Sequence, residues 1–204
     1  MYEFTNNWFQ DEAQYSWSEI LNKYKPGRAL EVGSYEGASA CFLIDTCSKH
    51  KPFELHCIDN WKGGVEHTKW ALDMEPVFER FKRNVSLARS NASHHAKVMT
   101  YVGNSDLALA GLLYQGNAQS FDFIYVDGSH IARDVLADAV VSFKLLKIGG
   151  IMILDDYLWH QKPPFEKNIL QIPKLAIDSF VNLHLDVVEI IRAPIYQTVI
   201  RRVK

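Results

Sequence analysis

Arg28-Ala29-Leu30-Glu31-Val32-Gly33-Ser34-Tyr35-Glu36-Gly37 is the stretch on which the fold turns. A short apolar run leads into an acid and then into two glycines with three residues between them. Glycine tolerates φ > 0 and has no Cβ, so Gly33 and Gly37 let the backbone swing from a strand into a helix and come close to a ligand. The helix that follows, over residues 37–49, aims its N-terminus at the same place. Glu31 narrows the ligand. A carboxylate at the tip of the first strand would repel a pyrophosphate but favour a ligand carrying an ammonium or sulfonium.

Strand and helix patterns alternate outward from this turn. Residues 28–33 precede the helix from Gly37, 53–59 a helix over 74–88, and 97–102 a helix from Asp106. Residues 121–127 form a strand rich in β-branched and aromatic residues, followed by a helix over 131–146 with Ile131, Val135, Ala139 and Phe143 at four-residue spacing. Lys147-Ile148-Gly149-Gly150 ends that helix, and Ile151-Met152-Ile153-Leu154 is a fully apolar strand of the kind buried on both faces. Five strand-helix units imply a parallel sheet. A helix over 174–182 then precedes two strand-like segments, 185–192 and 195–202, separated only by Ala193 and Pro194. So short a link permits a hairpin but no parallel crossover, so one antiparallel strand joins the sheet. The expected fold is α/β: a Rossmann-like, doubly wound, seven-stranded and mostly parallel sheet with an antiparallel last strand and helices on both faces. Residues 1–25 read as a helical segment packed on the core formed by 26–204, with a helix over 11–24 laying Tyr15, Ile20, Leu21 and Tyr24 on the sheet. Trp8 and Trp17 are expected to pack against the domain, the alternative being the mouth of the site or a dimer contact.

Composition bounds the function. A chain of 204 residues is one domain in size, and 22 Lys plus Arg against 24 Asp plus Glu leaves it near neutrality, with no basic stripe for nucleic acid. Cys41, Cys47 and Cys57 are odd in number and lack Cys-x-x-Cys spacing, which fits reduced core thiols and the cytoplasm. The N-terminus lacks the features of a signal peptide, and no apolar stretch is long enough to span a membrane. A homodimer follows only from the frequency of dimers.

In open α/β sheets, ligands sit beyond the carboxyl ends of the strands. Those ends are polar here. Asp59, in Ile58-Asp59-Asn60-Trp61, lies 22 residues past Gly37, where an acid hydrogen-bonds ribose hydroxyls. Asn60 flanks it, and Trp61 is placed to lie over a ring of the ligand or to pack under the loop. Asn104 and Ser105, after the third strand, could contact adenine or cap a helix. The fourth strand ends in Asp127-Gly128-Ser129-His130 and the fifth in Asp155-Asp156-Tyr157, which gathers three carboxylates and an imidazole. Like charges so placed raise one another's pKa unless a cation sits among them, and oxygen ligands suit magnesium. His94-His95 reads as a solvated loop.

The glycine turn resembles the first motif of the class I methyltransferases: acid, any residue, glycine, three residues, glycine. The antiparallel terminal strand is similar to theirs, whereas a dinucleotide-binding dehydrogenase domain usually stays parallel. Asp155-Asp156-Tyr157 resembles the metal-dependent O-methyltransferases acting on sugar or other hydroxyls, and residues 127–157 as a whole are similar to a broad methyltransferase family, as are residues 58–64. The resemblance runs from about residue 26 to the C-terminus. It implies S-adenosylmethionine as cofactor, held by Glu31, Gly33, Ser34, Tyr35 and Gly37 at the methionyl part, by Asp59, Asn60 and Trp61 around the ribose, and by Asn104, Ser105 and Asp127. It implies Mg²⁺ on Asp127, Asp155 and Asp156, and a small-molecule or sugar hydroxyl as acceptor. His130 departs from the pattern and suggests a metal-free variant in which His130 or Asp127 is the base. Residues 61–70 and 158–165, with Trp159, His160, Pro163 and Pro164 as an aromatic lid, are expected to face the acceptor. The rival readings are an NAD-dependent oxidoreductase and a cofactor-binding protein without catalysis.

Overall fold

The computed structural model describes residues 1–64, 72–160 and 168–204. Seven strands form one sheet in the order β3-β2-β1-β4-β5-β7-β6. They are β1 (Arg28–Val32), β2 (Phe53–Asp59), β3 (Ala96–Val102), β4 (Phe121–Val126), β5 (Leu146–Leu154), β6 (Val188–Ile191) and β7 (Thr198–Arg202). Strands β1 to β5 pair in parallel, and β7 runs antiparallel to both of its neighbours, β5 and β6. The expected single reversed strand is present. The hairpin before it is longer than the sequence suggested, because the segment at 185–192 contributes only Val188–Ile191 and the second strand starts at Thr198. Lys147 to Gly150, read as the end of a helix, belong to the start of β5.

Side-chain alternation along each strand splits the interior into two cores. Ala29, Leu55, Phe123, Tyr125, Ile151 and Ile153 face one side. Leu30, Ile58, Ile124, Val126, Met152 and Leu154 face the other. Helices α1 (Trp8–Glu12), α2 (Gln14–Tyr24), α3 (Ala38–Cys47) and α4 (Glu75–Asn91) cover the first core. Helices α5 (Ser105–Tyr114), α6 (Ala132–Leu145) and α7 (Lys174–Leu183) cover the second. Cys41, Cys47 and Cys57 are buried free thiols.

The N-terminal helix expected over 11–24 is two helices with a break at Ala13. Trp17, Ile20 and Leu21 are buried, whereas Tyr15 is 80% exposed and packs on nothing in the core. The reason is helical phase: Trp17, Ile20, Leu21 and Tyr24 follow the i, i+3, i+4, i+7 stripe, and Tyr15 falls nearly opposite it. The segment ahead of α1 is fastened to the glycine turn by Glu36, a buried acid. Its carboxylate accepts from the Thr5 amide at 2.7 Å, the Thr5 hydroxyl at 2.9 Å and Arg80 Nε at 2.5 Å.

Strand order reverses between β1 and β4, whose helices α3 and α6 lie on opposite faces. Ligands bind beyond the strand ends at such a switch point.

Candidate active site

The turn after β1 owes its shape to glycine. Gly33 has φ +87°, and a Cβ there would stand 1.8 Å from the carbonyl oxygen of Asp127. Only glycine lets the first and fourth strand ends meet this closely. The amides of Ser34 and Tyr35, at 2.9 and 2.8 Å, both donate to Asp59 Oδ2, and the Trp61 amide donates to Oδ1 at 2.7 Å. Asp59 therefore ties the ends of β1 and β2 together while remaining on the wall of the cleft.

That cleft measures about 1310 Å³ and runs across the carboxyl ends of the parallel strands. Gly33, Ser34, Tyr35, Asp59, Asn60, Asn104, Ser105, Asp127, His130, Asp155 and Asp156 all line it. Gly37 lies behind the turn, at φ +83° against the Phe81 ring. Trp61 also lies behind it, 7% exposed, its Nε1 donating to the Tyr35 carbonyl at 2.8 Å and its ring packed on Phe78 and Phe81. The expectation that Trp61 covers a ligand ring is corrected: it packs under the loop.

Glu31 is likewise placed differently from the expectation of a direct ligand contact. It is fully buried and accepts from the hydroxyls of Ser34 and Ser39, each at 2.5 Å. Burial pushes its carboxyl up to about 7 against the pull of those hydroxyls. Glu31 shapes the turn from beneath.

At the β4 and β5 ends, ligand-capable atoms of Asp127, His130 and Asp156 all fall within 4.8 Å of one another. His130 Nε2 is 2.7 Å from Asp156 Oδ2. Asp155, expected in the metal set, lines the same cleft but is not in this group, whose third member is His130. Asp155 Oδ2 accepts from Gln197 Nε2 at 2.9 Å and contacts the Tyr125 hydroxyl, which also lies 2.8 Å from Asp127 Oδ2. Asp155 continues the face of Ile151 and Ile153, the face that Tyr125 also occupies, and is taken up by the Tyr125 hydroxyl and Gln197, while Asp156, at φ +59°, opens the following turn. A phenol has one proton, so the two carboxyls around Tyr125 cannot both be ionised acceptors from it. Burial and the neighbouring carboxylates push Asp155 up to about 7 and Asp127 well above the usual carboxylate range. A divalent cation would reverse that pressure, so this donor set fits one.

Aromatic groups line the cleft. The Trp159 ring stands 4.1 Å from His130, and Trp8, 48% exposed and lining the cleft, lies 5.5 Å from Tyr35. Trp17 is buried, its Nε1 donating to Gln197 at 3.0 Å. His160 lies on the cleft wall, whereas Trp70, Pro163, Pro164 and Phe165 of the expected acceptor-facing segments lie outside the described residues. His94 Nδ1 donates to the Ser48 carbonyl, 2.7 Å away, remote from the site.

A family model described as a methyltransferase domain matches residues 30–157, more than half of the chain. The chain belongs to this methyltransferase family. It is 25% identical over 142 residues to the Dictyostelium discoideum protein named "Probable caffeoyl-CoA O-methyltransferase 3", covering 69% of this chain and 47% of that one. The chain thus spans about half the length of that relative. Among solved structures it resembles the O-methyltransferase TomG of Streptomyces achromogenes in complex with SAM, at TM-score 0.63 and 16% identity over 94% of this chain and 79% of that one. It also resembles the methyltransferase MycE of mycinamycin biosynthesis in complex with Mg and SAH, at TM-score 0.62 and 15% identity over 100% of this chain and 51% of that one. At such identities the likeness shows the fold, a class I methyltransferase fold. No helix among the described residues is long and apolar enough to cross a membrane.

Three residues of this methyltransferase site escape a motif-based reading. Tyr125 shares a strand face with Asp127, two positions on, a signal present in the period of β4. Asp138 interrupts the apolar Val135 and Ala139 stripe of α6, and a buried acid in such a stripe is itself a signal. Gln197 gave none, because its place depends on how the last strand inserts.

Proposed function

We propose that the protein transfers the methyl group of S-adenosylmethionine to a hydroxyl oxygen of a small molecule, with divalent-metal assistance. The observation that carries this reading is the meeting of Asp127, His130 and Asp156 at one end of a cleft whose middle is the Gly33 turn and Asp59. Asn104 and Ser105 line the same cleft and are assigned to the nucleoside of the cofactor; Ser34, Tyr35 and Asn60 to its methionyl and ribose parts. Asp127, His130 and Asp156 would hold the cation, which when bound lowers the pKa of the accepting hydroxyl and orients it. The protein's own work is placement. The acceptor oxygen must stand in line with the sulfonium methyl, and orientation of this kind supplies much of the rate. Trp159, packed on His130, borders the acceptor end and excludes water there.

A second reading rests on the His130–Asp156 pair at 2.7 Å. Without a metal, an imidazole whose Nε2 is held by a carboxylate can take the hydroxyl proton at its other nitrogen, Nδ1. One experiment separates the two: calorimetric titration with S-adenosylhomocysteine in Mg²⁺ and again in chelator. Binding in both, with a Mg²⁺-dependent enthalpy, supports the metal-assisted reading. Binding with no Mg²⁺ dependence favours the His130 base, and no binding in either overturns the proposed function.

A further inference from the structure

Asp138, on α6, is the buried ionisable group at the cleft that neither the glycine turn nor the metal cluster uses. It is 2% exposed, lies on the cleft wall, and its Oδ2 has no hydrogen-bond partner among the described residues. Leaving a buried carboxyl oxygen unsatisfied is costly. Such an oxygen beside a ligand cleft is explained if the ligand supplies the partner. Oδ2 stands beside Gly128, 3.6 Å from where a Cβ on that residue would be. The Ser105 hydroxyl, at the start of α5, is the neighbour that favours its ionised form.

We propose that Asp138 reads the edge of the adenine base of the bound cofactor, a specificity contact that rests on the methyltransferase reading above. Placement supports it. The reacting end of the cofactor must lie by Asp127, His130 and Asp156, so its nucleoside extends away from them, past Asp59 toward the wall that Ser105 and Asp138 share.

Chemistry supports it too. Burial, with Asp134 and Asp106 nearby, pushes the carboxyl up to about 7, so near neutrality a large share of it is the neutral acid. A neutral carboxyl offers one O–H donor beside one acceptor oxygen. An adenine edge offers the complement, an amino donor beside a ring-nitrogen acceptor, which an amide side chain matches in the same two-point way. A carboxylate, with acceptors only, would oppose the ring nitrogen.

The test is calorimetry of the full chain with S-adenosylhomocysteine and with its purine counterpart, in which hydrogen replaces the amino group. Sites built to hydrogen-bond a group reject analogues that lack it, so the wild-type protein is expected to prefer the adenine ligand by at least about tenfold. Asp138→Asn keeps a donor beside an acceptor and should keep the preference. Asp138→Leu should reduce it to within about twofold. Wild-type protein that binds both ligands equally would overturn the assignment without any variant. So would a leucine variant that loses affinity for both ligands in the same proportion, the behaviour of a mere tether between α5 and α6. Absence of binding by either ligand to the wild-type chain would instead overturn the methyltransferase reading, and the Asp138 contact with it.

Discussion

Replacing Gly33 by alanine separates the ends of β1 and β4, and the cost can be worked from the geometry. The new Cβ would lie 1.8 Å from the Asp127 carbonyl oxygen and 2.5 Å from its carbon, whereas real Cβ atoms essentially never come within 3.0 Å of a neighbour. The difference, 3.0 less 1.8, requires the Asp127 backbone to retreat by about 1.2 Å. Both groups are held by backbone hydrogen bonds, Gly33 N to Ile58 O at 2.8 Å and Asp127 N to Val32 O at 2.8 Å, so no flexible side chain can give way. The left-handed backbone adds about 1–2 kcal/mol for any residue with a Cβ. Urea unfolding should therefore show a loss of at least about 2 kcal/mol, and affinity for S-adenosylhomocysteine should fall at least about tenfold. A displacement near 1 Å in a reacting site costs about 10²-fold in rate, which is the expectation for methyl transfer under the proposed function. Gly37→Ala is the control. It carries the same backbone penalty at φ +83°, but its Cβ meets only the edge of the Phe81 ring at 3.1 Å, and the loss should stay near 1–2 kcal/mol. A Gly33→Ala protein with wild-type unfolding and wild-type affinity would refute the claim that the two strand ends must touch.

Three other outcomes are expected. Glu31 has a folded pKa of about 7, above its unfolded value of 4.5, so its stabilising contribution is full below about pH 4.5 and is lost as pH rises through 7. That shift corresponds to on the order of 3 kcal/mol, so Glu31→Gln should gain on the wild type by this order between about pH 5 and pH 8, and a pH-independent gap in unfolding free energy would contradict it. Asp156→Asn should erase the Mg²⁺-dependent enthalpy and abolish turnover while leaving affinity for S-adenosylhomocysteine within about threefold; an equal loss of cofactor binding would remove Asp156 from the metal and proton roles. Trp61→Ala should cost about 3–5 kcal/mol in urea unfolding, as buried tryptophans do, and a stable variant with collapsed cofactor affinity would return the ring to the ligand.

Much of the frame was legible because it follows local periods. The strand-helix alternation and the acids ending β2, β4 and β5 sit where hydrophobic patterning puts strand ends. What was not legible is what a side chain does once its strand has neighbours. The sequence offers Asp155 and Asp156 as a pair of ligands, yet Asp155 is held by the Tyr125 hydroxyl and Gln197, while Asp156, in the turn after β5, meets His130. His130, which departs from the metal-site pattern, joins Asp127 and Asp156. Trp61 was read toward the ligand because it follows Asp59, but the left-handed backbone at its own position, φ +50°, turns it back onto α4. Glu31 was read as a charge facing a cation, and its two serine partners show it as an internal acid, a distinction that needs Ser39 to be placed one helical turn away.

Gln197 joins Trp17, 180 positions earlier in the chain, to Asp155 through the two ends of one amide. The floor of the site is therefore closed by a residue far along the chain, just ahead of β7. Until the final hairpin docks, the Trp17 indole has no acceptor here and Asp155 lacks one of its donors, while β5 exposes an unpaired edge. Contacts of such sequence separation form late and slowly. The two ends of the cleft thus differ in what they wait for: the Gly33 turn and Asp59 are joined by segments close in sequence, whereas the Asp155 end is complete only once β7 has docked.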